Sequence, residues 1–154
     1  MNIFFDVDQT LVDNDTRPRP GLYDLFARLC GDGHTIYLWS SLGPRWEVVE
    51  ALGLAAYVAG CYDKPRYRHT DMLAPLGIPV RPDFCVDDQD HAVAVFGGII
   101  VRRYERPDPA DRELERVYAA VGALVRDGLQ RTLSAHVECQ QFCGITTSGS
   151  ASSD

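Results

Sequence analysis

Hydrophobic residues in this chain follow two alternating patterns. Continuous apolar runs are typical of buried β-strands, and they predict strands at 2–7, 34–39, 55–60, 83–88 and 96–103. Between these runs, apolar residues recur at helical spacing, as at Leu22, Leu25, Phe26 and Leu29. Helices are predicted at 21–33, 44–52, 66–76 and 109–127, the last continuing to about 136.

Strands that alternate with helices are typical of an α/β fold. Because the strands are apolar on both faces, they fit a parallel sheet that is covered by helices on both sides. The sequence therefore predicts a doubly wound, Rossmann-like sheet of about five strands. In such folds the functional site lies beyond the carboxyl ends of the strands, near a topological switch point.

The size and charge of the chain narrow its class. With 154 residues, the chain suits a single domain, which we expect over residues 1–143. Residues 144–154 are small and polar and predict a disordered tail. The net charge of -7 argues against general nucleic-acid binding, which needs basic surface. Nucleic acid is expected as a partner only where it presents a phosphorylated end, and the oligomeric state is left open.

The compartment is predicted to be the cytoplasm. The longest uncharged apolar run, residues 92–101, is far too short for a membrane helix. The N-terminal residues show no cationic leader followed by an apolar core. The five cysteines are odd in number and scattered, which is simplest to interpret as reduced thiols.

Polar residues at the strand ends form the candidate site. They are Asp6 and Asp8 after the first strand, Ser40 and Ser41 after the second, Lys64 after the third, and Asp87 and Asp88 at the end of the fourth. Acidic side chains held together are costly unless a cation or a proton lies between them, and the charges here suggest a divalent cation. Oxygen ligands alone suit a hard ion, and we expect Mg²⁺, which commonly joins one or two carboxylates to a substrate phosphate.

These residue types fit phosphoryl transfer. A carboxylate can attack phosphorus and form an aspartyl-phosphate. Mg²⁺ and a lysine would offset the repulsion between the two anions. A second acid two residues away could protonate the leaving oxygen and later deprotonate the attacking water.

Four motifs, DVDQT, LWSS, DKP and VDD, occur in this order and resemble those of the haloacid dehalogenase superfamily. The resemblance covers about residues 2–103. It implies that Asp6 is the nucleophile, Asp8 the general acid and base, and Lys64 the residue that neutralises nucleophile and phosphate. The implied metal ligands are Asp6, the backbone carbonyl of Asp8, and Asp87 assisted by Asp88. The implied substrate-binding residues are Thr10, which supports the motif loop, Ser40, Ser41 and Lys64.

The acid at position 8 distinguishes this chain from the dehalogenases of that family, and it implies a phosphatase or phosphotransferase. Gln9 departs from the glycine that many members carry, as some protein phosphatases of the family also do. The intervals from Asp8 to Ser40 and from Ser40 to Lys64 have no room for a cap domain. We therefore expect an open site for a bulky or macromolecular phosphate. The alternative within catalysis is a small-metabolite phosphatase that is closed by oligomerisation.

Other interpretations compete with this one. A two-component receiver domain uses similar residues, but its acidic pair comes first and its lysine last. A non-catalytic module of the same fold would bind phosphate or metal without turnover. Taken singly, Asp6 and Asp8 could cap a loop, and Asp87 and Asp88 could form a turn. Ser40 could cap a helix, Ser41 could replace it at the site, and Lys64 could be a solvated side chain.

Two further clusters are interpreted conservatively. The basic run at 64–69, KPRYRH, could contact an anionic substrate, but we favour a solvated helix face. Arg102, Arg103 and Arg106 are expected to pair with surface acids where the fifth strand ends. His136, Cys139 and Cys143 match no firm zinc spacing and have no evident fourth ligand, so zinc is not expected.

Overall fold

A computed structural model describes the backbone of residues 1–143 and the side chains of residues 1–131. Five parallel strands form one sheet: β1 Asn2–Asp6, β2 Thr35–Ser40, β3 Val58–Asp63, β4 Phe84–Asp87 and β5 Gly98–Ile100. Their spatial order is β3-β2-β1-β4-β5. The helices are α1 Leu22–Gly31, α2 Trp46–Ala51, α3 Asp90–Phe96 and α4 Glu113–Cys143. The predicted α/β fold with a parallel sheet is confirmed.

The side chains of β1 alternate between two apolar layers, because successive strand residues point to opposite faces. On one face, Phe5 packs against Phe26 of α1 with ring centroids 5.1 Å apart. On the other, Phe4 packs against Trp39 at 4.8 Å, and Trp39 against Phe96 of α3 at 6.2 Å. Burial of an apolar side chain of this size stabilises the folded state by about 1.5–3 kcal/mol. Helices therefore cover both faces, as the apolar strands predicted.

The strand order reverses direction at β1. The chain runs from β1 outward through β2 to β3, then crosses back to β4 on the other side of β1. The boundary between β1 and β4 is therefore the topological switch point, where ligands bind in open parallel sheets. Between β1 and β2 the described structure adds a loop and α1, and between β2 and β3 it adds α2. Neither interval contains a cap domain, as predicted.

One helix prediction was wrong, and one helix was missed. The segment 66–76 forms turns rather than a helix, because Arg68 adopts a left-handed φ of 45° and Pro75 has no amide hydrogen to continue a helix. The short helix α3 was missed, since its alternating alanines and valines lie in an apolar run that favours a strand.

The chain forms two compact units, Met1–Ala120 and Val121–Asp154. The first contains the whole sheet and the predicted site; of the second, only helical residues up to Cys143 are described. The single domain at 1–143 stays a prediction, and the tail at 144–154 and the side chains of His136, Cys139 and Cys143 lie outside the described residues. No described helix combines the length and apolar character needed to cross a bilayer.

Candidate functional site

The register of the sheet brings the predicted residues to one edge. Asp6 lies opposite the residue before Ser40, and the residue before Asp6 lies opposite the residue before Asp87. Ser40 in turn lies opposite the residue before Lys64. Because the strands are parallel, all four residues reach the carboxyl edge at nearly the same level, beside the switch point.

Lys64 joins the two central carboxylates. Its Nζ lies 2.9 Å from Oδ1 of Asp6 and 2.8 Å from Oδ2 of Asp87. All three side chains are buried: Lys64 is 9% exposed, Asp6 5% and Asp87 0%. Charged groups at such burial need close partners. These three side chains therefore form a buried ion cluster, which differs from an ion pair on the surface.

The loop after β1 holds the second carboxylate oxygen of Asp6. Thr10 is fully buried, and its hydroxyl donates to Oδ2 of Asp6 at 3.0 Å. Gln9 adopts a left-handed φ of 62°, and its carbonyl accepts the Tyr104 amide at 2.7 Å. Its side chain donates to Asn14 at 2.7 Å and accepts from Arg103. Contacts with Tyr104, Asn14 and Arg103 therefore fix the start of the loop.

Asp8 is held by different partners from Asp6. The hydroxyl of Ser40 donates to its Oδ2 at 2.6 Å, and the guanidinium of Arg45 lies 3.1 Å from its Oδ1. Ser40 also accepts the Leu42 amide at 3.0 Å. Asp6 and Asp8, which lie two residues apart at the end of β1, therefore have separate environments. Asp6 lies beside Lys64, and Asp8 lies beside Ser40 and Arg45.

Burial and neighbouring charges together set the pKa values of Asp6, Lys64 and Asp88. Burial raises the pKa of Asp6 to about 7, although Lys64 opposes this. For Lys64, burial acts to lower the pKa, but Asp6 and Asp87 outweigh it and the pKa is raised. Burial, and then the charge of Asp87, raises the pKa of Asp88. The site has more carboxylates than nearby cations to neutralise them.

The surplus carboxylates fit a divalent cation. One oxygen each from Asp6, Asp87 and Asp88 lies within 4.8 Å of the others. Asp88 is only 4% exposed at its side chain, and Arg103 approaches it no closer than 3.6 Å. A donor set made only of carboxylate oxygens suits a hard ion such as Mg²⁺, so these residues fit the metal that the sequence predicts.

Three adjoining clefts open around Ser41 and Lys64, which line all of them. The central cleft, about 220 Å³, is also lined by Asp6, Asp8, Gln9, Ser40, Leu42, Asp88 and Gln89. The basic cleft, about 140 Å³, is also lined by Pro65, Arg66, His69, Gln89 and His91. The apolar cleft, about 250 Å³, is also lined by Asp63, Pro65, Arg66, Tyr67, Met72 and Leu76.

All the predicted site residues lie close together at the carboxyl edge of the sheet, but neighbouring residues among them have different contacts. Ser41 is exposed and faces the clefts, whereas Ser40 is 1% exposed and donates to Asp8. The substrate-binding roles of Thr10, Ser40, Ser41 and Lys64, and the metal contact of the Asp8 carbonyl, stay predictions.

Sequence reasoning missed Arg45, because a basic residue before a helix is common and carries no distinctive signal. Another signal was available and unused. Lys64 is the one lysine in the sequence. The other fourteen of its fifteen lysine and arginine residues are arginines.

Comparison of the chain with protein-family models, with curated proteins and with solved structures found no match.

Proposed function

We propose that this chain is a Mg²⁺-dependent phosphomonoester hydrolase that works through an aspartyl-phosphate on Asp6. The observation that carries the proposal is the Lys64 ammonium held between Asp6 and Asp87 at the switch point. Such a cation supports a nucleophilic carboxylate that must approach an anionic phosphate. The resemblance of the four motifs to the haloacid dehalogenase superfamily agrees with this assignment.

The reaction has two balanced steps. An oxygen of Asp6 attacks phosphorus, the bond from phosphorus to the leaving oxygen breaks, and Asp8 gives that oxygen a proton. Asp8 then accepts a proton from water, whose oxygen attacks the same phosphorus. The phosphorus bond to Asp6 breaks, which releases inorganic phosphate and restores the carboxylate.

The surrounding residues position these groups. Thr10 and Lys64 fix the two oxygens of Asp6, while Ser40 and Arg45 fix Asp8 where it lines the central cleft. Asp6, Asp87 and Asp88 would hold Mg²⁺, which when bound offsets the negative charge of carboxylates and phosphate. The exposed Ser41 offers a hydroxyl to the phosphoryl oxygens.

The open clefts support a bulky phosphorylated substrate. Each is smaller than the roughly 300–1,000 Å³ typical of pockets that enclose a small ligand. A substrate would therefore lie over the site and insert its phosphate, with most of its body outside.

Replacement of the nucleophile tests the mechanism. With Mg²⁺ and a panel of phosphomonoesters, including phosphopeptides and phosphorylated nucleic-acid ends, Asp6→Asn should lower kcat/KM at least about a thousandfold, because an amide at position 6 is a poor nucleophile. Asp15→Asn, which changes an exposed acid in the loop that follows Asp6, is the matched control. Full activity of Asp6→Asn would contradict the mechanism. The wild type should also yield a phosphoprotein that hydroxylamine cleaves.

Metal removal is the second test. Treatment with EDTA should abolish phosphatase activity, and added Mg²⁺ should restore it. Activity that survives complete chelation would overturn the metal assignment.

A further inference from the structure

The basic cleft contains a cation that the described residues leave without an acidic partner. Arg66 is exposed, and among the described residues no carboxylate lies within ion-pair distance of it. Its guanidinium donates to the Ser41 carbonyl, which orients the side chain along the cleft. By contrast, Arg45 faces Asp8 and Arg103 faces Asp88.

The other side chains of the basic cleft are suited to an anion. His69 and His91 each offer an imidazole N–H in either protonation state, and Gln89 offers an amide donor. Among the described residues, one carboxylate beyond the partners of Lys64 lies within ion-pair distance of this lining: Asp90, 3.5 Å from His91, with both side chains exposed. The lining therefore has surplus donors and positive charge.

The electrostatics of His69 agree with a positive cleft. Burial is the largest cause that lowers its pKa; the charges of His91 and Lys64 lower it further, and the charge of Asp87 opposes them. Its ring packs edge-on against Phe96 at 6.4 Å, which restrains it from the core side. A positive environment that disfavours one more cation favours an anion.

The basic cleft is continuous with the central cleft. Ser41, Lys64 and Gln89 line both. A molecule whose phosphate meets Asp6 in the central cleft would therefore place a neighbouring part of its leaving group beside Arg66. The volume of about 140 Å³ is enough for a small anionic group.

We propose that the substrate carries a second anionic group, a phosphate or a carboxylate, which binds in the basic cleft to Arg66, His69 and His91. This inference rests on the proposed function, because it assigns the leaving-group side of the same site. It replaces the earlier interpretation of residues 64–69 as a solvated helix face, since that segment forms no helix.

Equilibrium binding tests the proposal without turnover. Calorimetry with excess Mg²⁺ would compare simple alkylphosphonates with α,ω-alkanediphosphonates of increasing chain length, none of which can be hydrolysed. We expect the best diphosphonate to bind wild type at least about tenfold more tightly than the matched monophosphonate, the effect of one charge-assisted hydrogen-bonded contact.

Variants assign that gain to the cleft. Arg66→Met, which keeps the aliphatic stem, should reduce the ratio of the two affinities to about one. Arg68→Met is the matched control in the same segment, because Arg68 pairs with Asp71 and does not line the cleft. It should leave the ratio unchanged. Equal binding of the two ligands by wild type, or a ratio that Arg66→Met leaves intact, would overturn the proposal.

Two arms separate the remaining possibilities. Phosphonocarboxylates of the same lengths show whether the second anion is a phosphate or a carboxylate, by which series binds more tightly. If phosphomonoesters are hydrolysed but the affinity ratio is absent, the second-anion proposal fails while the proposed function stands. If the ratio is present but no phosphomonoester is hydrolysed, the cleft assignment stands and the phosphatase proposal fails.

Discussion

The ammonium group of Lys64 donates to two buried carboxylates that would otherwise repel each other. Asp6 and Asp87 come from strands that are adjacent in the sheet but distant in the chain. Sequence reasoning could predict this trio, because strand ends in a parallel sheet meet at one edge. It could not predict that Ser40 would face Asp8, since the direction of a hydroxyl depends on tertiary contacts.

Replacement of Lys64 should affect both activity and stability. Lys64→Met leaves two adjacent buried acids without their cation, so we expect the free energy of unfolding to fall by about 3–5 kcal/mol near neutral pH. The deficit should shrink as pH falls, because protonation removes the repulsion. Urea unfolding across pH measures it, and kcat/KM should fall at least about a hundredfold.

Lys64→Arg is the matched control, since it keeps the charge but changes the geometry of the donors. It should preserve stability better than activity. If Lys64→Met were as stable as wild type at neutral pH, the ammonium would not be needed to hold the two carboxylates together.

Among the elements, the strands were easier to predict than the helices. Five apolar runs gave five strands within a few residues of their true ends, because burial on both faces leaves a continuous pattern. The boundary of β5 was displaced, since Phe96 ends α3 rather than starting the strand. Short elements such as α3 have too few turns for a periodic signal.

The close approach of β5 to β4 depends on a glycine. A Cβ on Gly98 would lie 1.9 Å from the backbone oxygen of Cys85 and the residue has a φ of 139°. Gly98→Ala should lower the free energy of unfolding by more than about 2 kcal/mol, because backbone atoms must separate to relieve the overlap. Thermal unfolding gives the measurement.

Gly97→Ala separates strain from overlap at the adjacent position. Gly97 also has a left-handed φ, of 83°, but nothing lies within 4 Å of its would-be Cβ. Its ψ of 164° places it in a backbone region that is essentially restricted to glycine, so we expect Gly97→Ala to cost about 1–3 kcal/mol, less than Gly98→Ala. Equal losses in the two variants would show that contact with β4 is not the cause.

At the scale of the molecule, a buried ion pair fastens the loop after β1 to the segment after β5. The guanidinium of Arg19 donates to both carboxylate oxygens of Asp111, at 3.0 and 2.8 Å. It also donates to the carbonyls of Thr10 and Arg102, at 2.9 and 2.7 Å. Sequence alone did not indicate this pair, because its members are 92 positions apart and neither belongs to a motif.

The pair of Arg19 and Asp111 should make the free energy of unfolding depend on pH in the acidic range. Burial alone would raise the pKa of Asp111, but hydrogen bonds from Arg19, the Glu113 amide and Arg102 lower it to about 2, below the ordinary 3.8. A lowered carboxyl pKa stabilises the fold above about pH 4, and that contribution is lost as pH falls toward 2. The contribution is about 2 kcal/mol.

Urea unfolding from neutral pH down to about 2 would measure it. Asp111→Asn should lack this acid-dependent component, so the difference between wild type and variant should narrow over that interval. Asp108→Asn, a more exposed acid in the same segment, is the control. A constant difference across the whole range would contradict the assignment to Asp111.

The single lysine also makes the candidate site chemically addressable. Acetylation, methylation and ubiquitination all act on lysine ammonium groups, and on this chain the side chain that could accept them is Lys64 alone. That side chain is 9% exposed and bound between two carboxylates. Amine-directed reagents will therefore react with the terminal amine and, among the side chains, with Lys64 alone. Any label gained at a lysine will measure how accessible the centre of the site is.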